Sequence, residues 1–132
     1  MRLMNSKLIE RTLSLAKVMC PINREMRTSH VSFLIKSSKI VHIGWNKNRS
    51  HPMNLRYPYH KGRNLGLHAE LDVCLKSGKD DLSSYTMVVI RVDNNGKVCN
   101  SKPCNGCQSV IKQFGIDEVW YSNLNGEIVK MI

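Results

Sequence analysis

Two short motifs in this sequence combine residue types that bind metals and move protons. In the first motif, His68 and Glu70 stand two residues apart. In the second, Pro103 comes directly before Cys104, and Cys107 completes a Cys-x-x-Cys pair. One imidazole and two thiolates are good protein ligands for zinc, and a catalytic zinc site has three protein ligands and a fourth position kept for water. We therefore predict one zinc ion per chain, held by His68, Cys104 and Cys107.

Both motifs are expected at helix starts, which explains how the three ligands converge. One predicted helix runs from Leu67 to Ser77, and a second carries an apolar face from Cys107 to Phe114. On the first turn of a helix, side chains three residues apart can face one point, and the positive end of the helix dipole favours thiolates. Glu70 then lies near the metal without being a ligand. That position suits it to transfer protons to and from a water at the open position.

The other elements describe an α/β protein. Apolar periodicity predicts a helix over residues 6–19, and β-rich runs predict strands at 30–36, 39–46, 86–92, 118–121 and 127–131. The nearly unbroken apolar run at 86–92 is typical of a strand covered on both faces, so we expect it at the sheet centre. Two strand-helix-strand connections predict parallel pairing in the middle of the sheet. Short links predict antiparallel hairpins for the first two and the last two strands.

The composition favours one domain over residues 1–132 with a polyanionic or phosphorylated ligand. The net charge of +10 attracts such ligands, although a solvated basic surface is the alternative explanation. We find neither a run of about 20 apolar residues, as a membrane span needs, nor a secretory signal block in residues 1–10. Five cysteines that include a Cys-x-x-Cys pair favour a reducing, cytoplasmic location. Cys20, Cys74 and Cys99 are expected to be ordinary thiols.

Residues 47–66 form a basic segment that contains no carboxylate. Within it, Arg49 and Arg56 are candidates for binding the phosphate of a substrate. Tyr57 and Tyr59 lie among these cations, and this mixture suits either a nucleotide or a single-stranded nucleic acid. The histidines of the segment, His51 and His60, are expected to be surface residues rather than zinc ligands.

The two motifs, in this order, resemble those of the cytidine and deoxycytidylate deaminase superfamily, whose members bind zinc through a His-x-Glu and a Pro-Cys-x-x-Cys motif. The run Gly44-Trp45-Asn46 ahead of the first motif also resembles a strand end in deoxycytidylate and tRNA adenosine deaminases. The resemblance covers most of the chain. It implies a three-layer α-β-α sandwich with a mixed five-stranded sheet, helices on both of its faces and an antiparallel last pair. It also implies homo-oligomers that associate through the helix layer.

The same resemblance implies the substrate contacts. Asn46 would contact the sugar, the backbone of Ala69 would hold the base carbonyl, and the carbonyl of Lys102 would accept a hydrogen bond from the leaving amine. Trp45 could stack on a base, but an aromatic residue at the end of an apolar strand is as often part of a core. The antiparallel last pair resembles deaminases of free nucleosides, whereas His68 resembles the deoxycytidylate and tRNA enzymes, so the substrate class stays open.

Three functional hypotheses follow. The leading one is hydrolytic deamination of the cytosine of a nucleotide, deoxycytidylate or cytidylate, to uracil with release of ammonia. The second is a deaminase acting on cytosine or adenine in RNA or single-stranded DNA, since deaminases of either base use the same zinc site and glutamate. The third is a non-catalytic zinc module that binds nucleic acid, and a purely redox role for Cys104 and Cys107 is less favoured because it leaves His68 and Glu70 without a task.

Overall fold

The computed structural model describes residues 6–19, 29–46 and 68–132 of the chain. In these ranges the elements are α1 (Ser6–Met19), β1 (Ser29–Lys36), β2 (Lys39–Trp45), α2 (Ala69–Ser77), β3 (Thr86–Val92), β4 (Val98–Cys99), α3 (Asn105–Gln113), β5 (Glu118–Ser122) and β6 (Ile128–Lys130). Every predicted helix and strand within the described ranges is present. None of the described helices has the length and apolar character that crossing a membrane requires.

The strands form one mixed sheet in the order β2-β1-β3-β5-β6, and β4 pairs with β3 beside the end of β5. The predicted place of β3 at the centre of the sheet is confirmed. The sheet has six strands instead of the five expected. The strand that was missed, β4, has only two residues, which is too short for any alternation of apolar and polar residues to be visible.

The pairing directions follow the prediction at both ends of the sheet and differ from it near the middle. β1 and β2 form an antiparallel hairpin, and so do β5 and β6. β3 and β5 pair in parallel across α3, as expected. The connection through α2 does not place β2 next to β3, because β1 lies between them and pairs antiparallel with both. Since one strand separates them, β2 and β3 still run in the same direction.

Helices cover both faces of the sheet. On β1 and β3, alternate residues point to opposite faces, as strand geometry requires. Val31 and Phe33 of β1 and Ile90 of β3 belong to the core beneath α1. Leu34 and Val89 belong to the second core, beneath α2 and α3. The predicted three-layer arrangement is therefore confirmed.

Helix α2 packs directly on strand β2 at Gly44. A Cβ atom on Gly44 would lie 2.5 Å from the backbone nitrogen of Val73, so only glycine permits this approach. Asp72 of the same helix is buried, and its Oδ2 accepts a hydrogen bond of 3.0 Å from the backbone N–H of Trp45. Together these contacts fix the first turns of α2 against the end of β2.

Candidate metal centre

Both sequence motifs lie where a helix begins. His68 is the residue before the first turn of α2 and has an extended backbone (φ −75°, ψ 150°). Cys104 has the same position before α3, and its Sγ accepts a 3.4 Å hydrogen bond from the backbone N–H of Cys107. Because α3 follows the carboxyl end of β3, its first turn lies at the sheet edge where parallel α/β sheets commonly bind ligands.

The three predicted metal ligands come together at these helix starts. His68 Nδ1 lies 3.1 Å from Cys107 Sγ and 3.8 Å from Cys104 Sγ, and all three ligand atoms lie within 4.8 Å of one another. Zinc bonds of about 2.0–2.3 Å in a tetrahedral site imply ligand atoms about 3.5 Å apart, so these residues fit a zinc ion. Cys107 is buried while Cys104 is exposed, which leaves the cluster approachable from one side.

The described residues provide no fourth protein ligand for this cluster. A purely structural zinc site would need a fourth ligand, and a nearby cysteine such as Cys99 is the kind of residue that could supply it. Its thiol instead lies 3.4 Å from the carbonyl oxygen of Lys97 and 3.9 Å from Asp93 Oδ2. The histidines of the 47–66 segment, His51 and His60, lie outside the described residues. Three ligands with an open position are the pattern of a catalytic zinc site.

Glu70 is buried beside the cluster, with 4% of its surface exposed. Burial raises the pKa of its carboxyl above the usual value, and a backbone hydrogen bond, the charge of His68 and a hydrogen bond from the Cys107 thiol partly oppose this effect. The hydrogen bond with Cys104, burial and the charge of Glu70 together raise the pKa of Cys107 well above that of an ordinary thiol. A hydrogen bond to Cys104 raises the pKa of His68. The charges and hydrogen bonds of Glu70 and of the ligand cluster therefore influence one another, although Glu70 is not one of the three candidate ligands.

The residues predicted to contact substrate have different surroundings. Asn46 is buried and its Oδ1 accepts a 3.0 Å hydrogen bond from the backbone N–H of His30, so its side chain is held at the end of the hairpin. Ala69 is buried in the first turn of α2, and Lys102 lies in the segment just before Pro103 with its side chain exposed. Their contacts with substrate stay predictions.

Trp45 does not have a free indole ring. The ammonium nitrogen of Lys76 lies 3.5 Å from the centre of the ring. The same nitrogen forms a 3.1 Å ion pair with Asp72. This arrangement covers one face of the ring and favours a role in fixing α2 to β2. Arg49 and Arg56 lie outside the described residues.

A pair of buried serines supports the site, and the sequence analysis missed it. Ser122 at the end of β5 donates a 2.6 Å hydrogen bond to the carbonyl of Cys99. Ser101 donates one of 2.7 Å to the carbonyl of Val89 and accepts one of 2.9 Å from the backbone N–H of Ser122. These bonds fix the segment that leads into Cys104. No local pattern marks such serines, because their partners lie far away in the sequence.

No protein-family model and no curated protein matches this sequence. Solved structures do match. The dCMP deaminase of the cyanophage S-TIM5 superposes with a TM-score of 0.58 at 18% identity, over 92% of this chain and 86% of its own. The cytidine deaminase of Burkholderia pseudomallei gives 0.56 at 16% identity, over 89% of this chain and 90% of its own. This chain has the cytidine-deaminase fold.

The fold is shared with enzymes of different substrate classes. A structure described in a study of tRNA:A34 deaminases also matches, with a TM-score of 0.51 at 18% identity, over 87% of this chain and 78% of its own. The cytidine-deaminase fold expected from the two motifs is therefore confirmed. At identities of 16 to 18%, this likeness establishes the architecture of the chain. The substrate has to be inferred from the residues of the site.

Proposed function

We propose that this protein is a zinc-dependent hydrolytic deaminase that converts the cytosine of a nucleotide, deoxycytidylate or cytidylate, to uracil and ammonia. The observation that carries the proposal is the convergence of His68, Cys104 and Cys107 within 4.8 Å, with buried Glu70 beside them, on a cytidine-deaminase fold. Support for a nucleotide comes from the net charge of +10 and from a structural neighbour solved with dCMP and dUMP.

His68, Cys104 and Cys107 would hold the zinc ion. When bound, zinc would lower the pKa of a water molecule enough to supply a hydroxide nucleophile near neutral pH. Glu70 then performs both proton transfers. Its carboxylate moves the first proton from the water to the ring nitrogen of cytosine, and the second from the hydroxyl newly bonded to C4 to the exocyclic amine, which leaves as ammonia. One water is consumed, the C4–N bond breaks and a C4–O bond forms. Glu70 ends in its starting state.

Three further contacts would orient the nucleotide. The side chain of Asn46 would bind the sugar, the backbone N–H of Ala69 would bind the base carbonyl, and the carbonyl of Lys102 would accept a hydrogen bond from the amine. Support for the Lys102 contact comes from the buried serines described above, which hold the segment that precedes Lys102. A site whose donors and acceptors are fixed before the reaction gains most from electrostatic stabilisation.

The test combines zinc stoichiometry with ammonia release from deoxycytidylate, cytidylate, cytidine, adenosine monophosphate and a cytosine-bearing single strand. We expect one zinc per chain and release from a cytosine mononucleotide. Glu70→Gln keeps the size of the side chain but not its basicity, so it should retain zinc while kcat falls about 10²- to 10⁴-fold. Full zinc content without ammonia from any substrate would instead favour a non-catalytic zinc module.

Deamination of RNA or single-stranded DNA is the second candidate, favoured by the net charge of +10 and by the structural likeness to the tRNA deaminase. Binding that weakens steeply with salt, together with ammonia release from the strand alone, would support it. Release from adenine in such a strand would further change the assignment of the base. A homo-oligomer located in the cytoplasm is proposed for either substrate.

A further inference from the structure

Four residues form a row across the sheet next to the candidate metal centre. At the end of β2, the backbone N–H of Asn46 donates a 3.2 Å hydrogen bond to the carbonyl of His30 on β1. His30 pairs with Arg91 on β3, and Arg91 pairs with Cys99 on β4. Neighbouring strands lie about 4.8 Å apart, so the backbone of Arg91 is about 10 Å from that of Asn46.

His30 and Arg91 face the side of the sheet that carries the metal centre. Val31, Ile90 and Val92, their neighbours in sequence, belong to the core beneath α1. Because strand residues alternate between faces, His30 and Arg91 point to the opposite side, towards α2 and α3. The charges of Arg91, His68 and Cys104 all act on the His30 imidazole. The ring therefore lies within electrostatic reach of both the guanidinium and the metal ligands.

One N–H donor of the Arg91 guanidinium lacks a partner among the described residues. Its Nε is buried and has no hydrogen-bond partner in residues 6–19, 29–46 and 68–132. A buried donor without a partner is costly, and native structures contain few of them. A guanidinium presents a planar fork of N–H groups that matches two oxygens of a phosphate. The Arg91 guanidinium is therefore suited to bind an oxyanion such as a phosphate.

We propose that Arg91 binds the 5′-phosphate of the nucleotide whose base reaches the metal centre. The inference rests on the proposed deaminase function, in which Asn46 contacts the sugar. The 5′-carbon of that sugar carries the phosphate, and the row leads from Asn46 past His30 to Arg91. The long side chain of Arg91 leaves the sheet on the same face as that of His30, the face that carries the candidate metal centre. Arg91 thereby distinguishes a nucleotide from a free nucleoside.

The experiment compares kcat/KM for dCMP and for deoxycytidine in the zinc-loaded wild type, in Arg91→Gln and in Arg91→Lys. We expect the ratio of the two values to fall about ten- to hundredfold in Arg91→Gln, chiefly through a higher KM for dCMP. Arg91→Lys keeps the charge without the fork and should fall between them. Arg11→Gln, on an exposed position of α1, removes the same charge elsewhere and should keep the wild-type ratio.

Several results would overturn the inference. Proportional losses with dCMP and deoxycytidine in both Arg91 variants would make Arg91 a structural residue. Selective loss with a cytosine-bearing single strand, at an unchanged ratio for dCMP, would assign the guanidinium to a phosphodiester instead. Thermal unfolding provides a further check, since removing a buried donor that lacks a partner should not lower the melting temperature of the ligand-free protein.

Calorimetry separates this inference from the proposed reaction. Wild-type protein and Arg91→Gln are titrated with dUMP and with deoxyuridine. Tighter binding of dUMP by the wild type, lost in Arg91→Gln, supports the phosphate site even if no substrate releases ammonia. Equal binding of dUMP and deoxyuridine by the wild type refutes it, even if deamination is observed.

Discussion

His30 shows how a single side chain can tie stability to pH in this molecule. Burial, then the positive charge of Arg91, lowers the pKa of its imidazole from 6.5 to about 4. Between these two pH values the unfolded chain binds a proton that the folded protein does not. The free energy of unfolding therefore falls as pH falls from 6.5 towards 4, by up to about 3 kcal/mol in total.

His30→Gln should flatten this part of the pH profile. Urea unfolding of the metal-free wild type and variant at pH 7, 5.5 and 4.5 measures it, because removing zinc beforehand excludes acid release of the metal as a cause. We expect the wild type to lose more stability than the variant between pH 7 and 4.5. Identical profiles would show that His30 does not carry the effect.

At the scale of elements, the contact between α2 and β2 sets the position of His68 and Glu70. Gly44→Ala forces a Cβ to within 2.5 Å of the Val73 backbone, so α2 must move away from the strand. Overpacking of this kind costs about 1–3 kcal/mol. We expect lower stability together with weaker zinc binding and lower activity, measured by urea unfolding, zinc titration and ammonia release.

Gly78→Ala is the matched control for Gly44→Ala. Gly78 ends α2 with φ 69°, and a Cβ there would meet no atom within 4 Å. Backbone strain should cost about 1–2 kcal/mol without displacing the first turn of the helix. If both variants lose zinc affinity equally, general instability explains the loss and the packing at Gly44 does not.

The connection from β4 to α3 depends on the buried serine pair. Ser122→Ala leaves the carbonyl of Cys99 without the donor that lies 2.6 Å from it. We expect a loss of about 1–3 kcal/mol in the free energy of unfolding and weaker zinc binding, since Cys104 follows the affected segment. In Ser109→Ala, the lost bond to Asn105 is exposed, so the change should stay within about 0.5 kcal/mol. Normal zinc affinity in Ser122→Ala would argue against the positioning role.

For the whole molecule, a zinc ion would join parts of the chain that lie far apart in sequence. His68 belongs to the start of α2, whereas both cysteines belong to the start of α3. A ligand that binds only the folded state at 100 times its Kd adds about 2.7 kcal/mol to stability. Chelation should therefore lower the melting temperature by several degrees, and zinc but not magnesium should restore it. A melting temperature that does not change on chelation would mean that no metal bound at this cluster stabilises the fold.

The local sequence was sufficient to predict the helices and strands and the set of candidate metal ligands. Periodicity and turn residues predicted the described helices and all strands except β4, because each of these signals depends on neighbours a few residues away. The grouping of His68, Cys104 and Cys107 into a cluster that could bind a metal was also predictable, since these residues belong to two short motifs of fixed spacing. The second motif needs only one helical turn to align its sulfurs.

Pairings between distant residues were decided by the tertiary structure. The placement of β1 between β2 and β3, the contact of Gly44 with Val73 and the bonds between Ser101 and Ser122 all join residues that no local pattern relates. The same holds for Arg91, which in the sequence is one polar residue within an apolar strand. Only the register of β3 against β1 brings it opposite His30, on the face that carries the candidate metal centre. Such contacts depend on how whole elements pack, because the energy that selects them comes from surfaces assembled from many parts of the chain.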